Sequence, residues 1–208
     1  MQLANQWKNS WSELGVPITP TLLHDFEDLR ARYSEPHRKY HTVRHLEECF
    51  EKLAEVRTLA QHPAEIEIAL WFHDAIYDTQ SSQNEAESAE LARAKVLMVG
   101  GTVESAARIA HLIMATRHDA VPEGNDAEVL VDVDLSILGA TAERFEEYEQ
   151  QVREEYSWVP ESVFKKERGR ILQSLLARAS IFNTQLFMDR YEQRARNNIE
   201  RSFVRLSA

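Results

Sequence analysis

Apolar residues recur at spacings of three and four along almost the whole chain, and that period admits helices and little else. Leu3, Trp7, Trp11 and Leu14 form the first stripe, which stops at Gly15 and Pro17. Thr19 and Pro20 read as the cap and first-turn proline of a second helix, which carries Leu22, Leu23, Phe26 and Leu29 and runs out near Ser34 and Pro36. From His41 to about Ala60, Leu46, Phe50, Leu53 and Val56 share one face. After Pro63, the residues Ile66, Ala69, Leu70, Trp71 and Phe72 predict a buried helix that leads directly into His73 and Asp74.

The pattern continues beyond a polar loop, AIYDTQSSQ. Asn84 is the expected cap of the next helix, which ends at Gly100 and Gly101. A helix from about Thr102 to Arg117 follows, with Val103, Ala106, Ile109, Ala110 and Ile113 inside, and VPEGND closes it as a loop. VLVDVDLSIL alternates like a short strand, yet the helix-period residues from Ala127 to Leu138 favour a helix. Thr141 opens a Glu-rich helix, and Pro160 opens another with Ile171, Leu172, Leu175 and Leu176. The last helix runs from about Thr184 towards Val204. With no repeat, low-complexity tract or linker, the expectation is an all-α chain forming a single compact multi-helix domain over residues 1–208.

Charge and cysteine content narrow the function. The 208 residues carry a formal net charge of -10, which disfavours a nucleic-acid duplex or an anionic membrane and leaves a small anion as the expected partner. Cys49 is the single cysteine, so no intramolecular disulfide can form. MQLANQWKNSW lacks the basic and apolar regions of a secretory signal, and no segment has the length of a membrane span. A cytoplasmic location is therefore expected, and exposed apolar helix faces leave a homodimer open.

Three features carry chemistry. In HTVRH, His41 and His45 stand at i and i+4, which on a helix turns both rings to one face. In WFHD, a histidine and an aspartate follow an apolar run, where the carboxylate has to be paired, solvated or metal-bound. Asp132 and Asp134 interrupt an apolar sequence, and an inward-facing carboxylate there is expected to need a cation. Imidazole nitrogens with carboxylate oxygens suit a divalent ion such as zinc, manganese, iron, nickel, cobalt or magnesium, with positions left for water and a phosphoryl oxygen.

In this order, YHTVRHL, ALWFHDAIYD and VDVDLSIL resemble the H...HD...D signature of the HD-domain metal-dependent phosphohydrolases. The longer run YSEPHRKYHTVRHLEECF, with NEAESA and ARNNIE further on, is similar to a bacterial branch of predicted phosphohydrolases of that superfamily and extends the resemblance over most of the chain. The resemblance implies an HD-like helical bundle with N- and C-terminal helical extensions packed on it. It also implies one or two divalent ions, with His45, His73, Asp74 and Asp134 as ligands and Asp132 as the fallback for the last. His41 matches the general acid of the related cyclic-nucleotide phosphodiesterases, and its alternative role is to orient His45. Asp74 would also orient the attacking water.

Further candidates stand near these positions in the sequence. His111 and His118 occupy the region where some HD proteins bind a second metal; His111 is rather expected in the core, whereas for His118 the ligand role is preferred over a plain loop position beside Asp119. Glu85 could reach the site from the helix after the HD pair, and its alternative is a first-turn dipole partner. HD nucleotidases often carry a glutamate three positions after the aspartate of the pair, and this chain has Tyr77 there, which weakens a nucleoside-monophosphate reading. Lys39, Arg44 and Arg117 are candidate phosphate ligands. The expected activity is hydrolysis of a phosphoester in a small phosphorylated substrate, such as a nucleotide. The alternatives are a di-iron oxygenase on the same scaffold and a metal-stabilised binding or regulatory module without turnover.

Overall fold

The structure, a computed structural model, describes residues 2–207. Among them are ten α-helices and no strand: α1 (Gln2–Glu13), α2 (Pro20–Arg32), α3 (Val43–Val56), α4 (Pro63–Phe72), α5 (Asn84–Met98), α6 (Val103–Ala115), α7 (Asn125–Asp134), α8 (Ala142–Glu155), α9 (Glu161–Leu176) and α10 (Gln185–Ser207). Short 3-10 turns follow α3 and α7. No helix among the described residues is long and apolar enough to cross a membrane.

Local signals set most of these boundaries. Thr19, Thr102 and Thr141 each accept a hydrogen bond from the backbone N–H three residues on, which starts α2, α6 and α8. Gly15 and Gly100 take φ of 83° and 93°, the left-handed turn that ends α1 and α5 with least strain in glycine. VDVD lies within α7, so the helical period prevails over the alternation. Asn84 is the first residue of α5 rather than its cap, and its side-chain amide pairs with both backbone groups of Asp78, closing the loop after His73 and Asp74.

The chain forms two compact units, one ending at Val131 and the other beginning at Asp132. The boundary falls inside a helix, which is why no linker composition marks it. The first unit is built around α4, which packs against α1, α3, α5 and α6. Ile66, Ile68, Ala69, Leu70 and Trp71 are all fully buried, and even Glu65 and Glu67 are enclosed. Each buried glutamate has its charge met: Glu65 takes a two-pronged pair from Arg108 at 2.7 and 2.6 Å, and Glu67 holds Arg57 at 3.0 Å and the Ser10 hydroxyl at 2.5 Å. Trp71 packs edge-on against Trp7 and Phe26 and tilted against Phe50, with ring centroids 4.9–5.7 Å apart. Trp71 lies in the last turn of α4, two residues before His73.

In the second unit, the 3-10 turn Leu135–Gly139 packs against α8 and α10, and α10 also packs on α9. Gly139 lies so close to Tyr191 that an added Cβ would come within 2.7 Å of it. Between α8, α9 and α10 is a groove of about 620 Å³, whose Arg153, Lys165 and Arg205 are engaged by the Tyr156 and Val159 carbonyls, Glu161 and Glu146 respectively.

Candidate metal centre

The end of α4 fixes the first ligand atom. The last carbonyls of a helix lack intrahelical partners, and the His73 ring turns back so that Nδ1 meets the Leu70 carbonyl at 2.7 Å. A carbonyl can only accept, so Nδ1 carries the proton and Nε2 points away from the helix. That nitrogen lies 3.0 Å from Asp74 Oδ2 and 3.1 Å from His45 Nε2, and His45 Nε2 is 3.7 Å from the same carboxylate oxygen. Two segments 28 residues apart thus bring three potential ligand atoms to one point. His45 and His73 are buried, and Asp74 keeps 17% of its side chain exposed.

These separations are informative because of proton count. With Nδ1 protonated, His73 Nε2 either carries a second proton or faces the Asp74 carboxylate lone pair to lone pair. The second arrangement is repulsive unless a cation lies between. Ligands about 2.0–2.2 Å from one small divalent ion stand roughly 3.0–3.6 Å from each other, a range that holds the edges of 3.0 and 3.1 Å and that the edge of 3.7 Å slightly exceeds. The partial negative charge at the C-terminus of α4 favours a cation at the same place. His45, His73 and Asp74 therefore fit a divalent metal in atom type and spacing.

Burial pushes the Asp74 carboxyl up, but the charges of His73, His41 and His45 and the His73 hydrogen bond outweigh it and hold the group below the usual carboxylate range. Behind it, the Tyr33 hydroxyl accepts the Asp74 backbone N–H at 3.2 Å, and burial together with the Asp74 charge raises that hydroxyl well above its usual range. Ser88 on α5 secures the next turn, accepting from the Ile76 N–H at 3.0 Å.

His41 corrects the sequence reading of HTVRH. It lies in a bend before α3, which begins at Val43 after an extended Thr42, so His41 and His45 are not neighbours on one helical face. Backbone folding brings it near all the same: its ring centroid is 5.9 Å from that of His45 and 4.3 Å from that of Tyr77. Its charge is one of those that lower the Asp74 carboxyl.

The remaining candidates have surroundings of their own. Asp132 is fully buried, as expected of one carboxylate of the VDVD pair, but four neutral donors surround it in place of a cation. The Asn183 N–H and side-chain amide reach one oxygen at 2.7 and 2.9 Å, and the Thr184 N–H and hydroxyl reach the other at 2.7 Å each. Asp134 is half-buried at the last position of α7. His111 is exposed on α6, correcting its expected place in the core, and His118 occupies the turn after α6 with a φ of 56°. Glu85 is half-buried in the first turn of α5, where a carboxylate suits the helix dipole. Arg44 pairs with Glu48 at 3.2 Å, Arg117 pairs with Asp119 at 3.3 Å, and Lys39 is exposed.

Two residues at the site escaped the sequence reading. Cys49 Sγ lies 3.7 Å from both ring nitrogens of His45, one helical turn on, and the H-x-x-x-C spacing in α3 was the available signal. Arg38 is the other, and apart from Glu35 its hydrogen-bond partners are main-chain carbonyls, which have no sequence signature. No family model matches the chain, and no curated protein or solved structure does either.

Proposed function

We propose that the chain is a metal-dependent phosphohydrolase acting on a small phosphorylated compound, with its divalent ion held by His45, His73 and Asp74. The observation that carries this reading is the triangle of His45 Nε2, His73 Nε2 and Asp74 Oδ2, with edges of 3.0, 3.1 and 3.7 Å. An ion in such a donor set supplies Lewis acidity, making water acidic enough to attack near neutral pH and offsetting charge on phosphoryl oxygens.

The chain's own groups account for the rest. Asp74 supplies negative charge, since the imidazoles around it keep it ionised. Cys49 is buried against His45, and Phe72 and Ala75, which flank the His73–Asp74 pair in the chain, are buried too, while the partial exposure of Asp74 leaves an approach for substrate. His41, with its ring against Tyr77, is the group that hands a proton to the departing alkoxide as the P–O bond breaks and water adds to phosphorus. The oxygenase alternative draws no support from His111, which is exposed.

Elemental analysis of the purified protein, followed by phosphate release from a panel of nucleotides, sugar phosphates and cyclic phosphodiesters with the ions found, tests the reading. Bound divalent metal with turnover is expected, and His41→Ala should keep the metal while kcat falls about 10²–10⁴-fold. Metal without phosphate release across the panel would point instead to a binding module. A metal-free protein that takes up no added ion would overturn the proposal.

A further inference from the structure

Arg38 lies in the loop between α2 and α3, and its side chain has no exposed surface. A guanidinium removed from water this completely is strongly destabilising unless its N–H groups are paired. Nη1 donates to the Asp74 carbonyl at 2.7 Å and to the His41 carbonyl at 3.3 Å, and Nη2 donates to the Ala75 carbonyl at 3.3 Å. Nε donates to Glu35 Oε2 at 3.0 Å, which balances the charge.

The two faces of the guanidinium are covered as well. Its carbon lies 5.1 Å from the centre of the Tyr33 ring and 5.2 Å from that of Tyr77. Both rings touch the site: the Tyr33 hydroxyl takes the Asp74 N–H, and Tyr77 packs on the His41 ring. One planar fork therefore joins two segments more than 30 residues apart in the chain, one bearing His41 and the other bearing Asp74. A lysine ammonium, a single point of charge on a flexible stem, cannot hold three carbonyls in that arrangement.

We infer that Arg38 is a positioning residue, clamping the His41 loop to the His73–Asp74 turn and so setting the proposed acid against the proposed metal ligands. The inference rests on the reading of the metal centre given above. Arg38 touches neither the ligand atoms nor a substrate position, and it acts through the backbone of residues that do. Orienting partners of this kind change metal affinity or activity by about 10- to 100-fold when removed.

The test uses Arg38→Lys and Arg38→Ala, each first checked for a cooperative thermal transition, and the lysine variant keeps the experiment decisive if the alanine variant does not fold. In metal-free protein, backbone hydrogen exchange at residues 74–76 should be about tenfold faster in the variants, while residues 66–70 of α4 keep their protection. Titration with Mn²⁺ and Zn²⁺ should show an affinity about 10- to 100-fold weaker. Millimolar guanidinium should restore part of the loss in Arg38→Ala, whereas the lysine side chain should not restore it in Arg38→Lys. Folded variants with wild-type exchange would overturn the inference, and so would faster exchange with unchanged affinity. If the wild-type chain binds no ion, the functional reading fails while exchange at residues 74–76 still decides whether Arg38 holds the turn.

Discussion

Asp74 and Asp132 each follow an apolar stretch, and each is drawn away from bulk water, yet their neighbours differ in kind. Around Asp74 stand imidazoles, one of which is held with its Nε2 facing the carboxylate by a bond to its own helix. Around Asp132 stand two backbone amides, a carboxamide and a hydroxyl from Asn183 and Thr184, at the start of α10. The first environment pulls the carboxyl below its usual range against burial. In the second, burial raises the carboxyl, and the four donors offset only part of the rise. A carboxylate satisfied by neutral donors at a helix start orders that helix. One set among ring nitrogens collects positive charge, whether from protons or a metal.

The largest effect that tests this contrast is on metal retention. Asp74→Ala should lose bound metal entirely on dialysis while Asp132→Ala keeps it, as read by elemental analysis of the two proteins side by side. Equal retention would erase the distinction between the two carboxylates.

Next in size is stability. Asp132→Ala strands two backbone N–H groups and two side-chain donors at the start of α10 and should cost about 2–4 kcal/mol in denaturant unfolding. A cost below about 0.5 kcal/mol, the usual scale of surface substitutions, would show that the cap contributes little.

The smallest effect is in the pH dependence of the metal-free protein, where the two carboxylates should act with opposite sign. Asp74 has a lowered folded pKa, so it contributes stability above the unfolded value of about 3.9 and loses it as pH falls. Asp132 has a raised folded pKa, so stability present below that value declines as pH rises through the folded one. Unfolding free energies from about pH 3 to 6 should show the gap between wild type and Asp74→Asn widening with pH, and the gap for Asp132→Asn narrowing. Slopes of the same sign would contradict the assignment of opposite shifts.

Much of the helical framework is legible from local chemistry. Thr19, Thr102 and Thr141 satisfy N–H groups three residues away, and Gly15 and Gly100 supply left-handed turns, so both signals and their partners lie within one short window. His73 and Asp74 are legible for a similar reason, since the apolar run before them dictates a buried helix end. HTVRH misled because its spacing was read as helical through His41, although Thr42, a residue type that favours helix starts, marked the boundary. The partners of Asp132 stand 51 and 52 residues further on, beyond the reach of any local pattern.

By itself, then, the sequence determined an all-helical chain, the approximate course of its helices, and the short set of imidazoles and carboxylates able to meet at a metal. Those outcomes depend on side-chain period, capping and ligand chemistry, which are properties of residue types close together in the chain. Only the tertiary structure decided which candidates converge, that Asp132 is held by neutral donors, and that Arg38 joins the His41 loop to the Asp74 turn. The physical reason is that these depend on where backbone carbonyls and amides end up once water is excluded, and every residue type carries the same backbone groups.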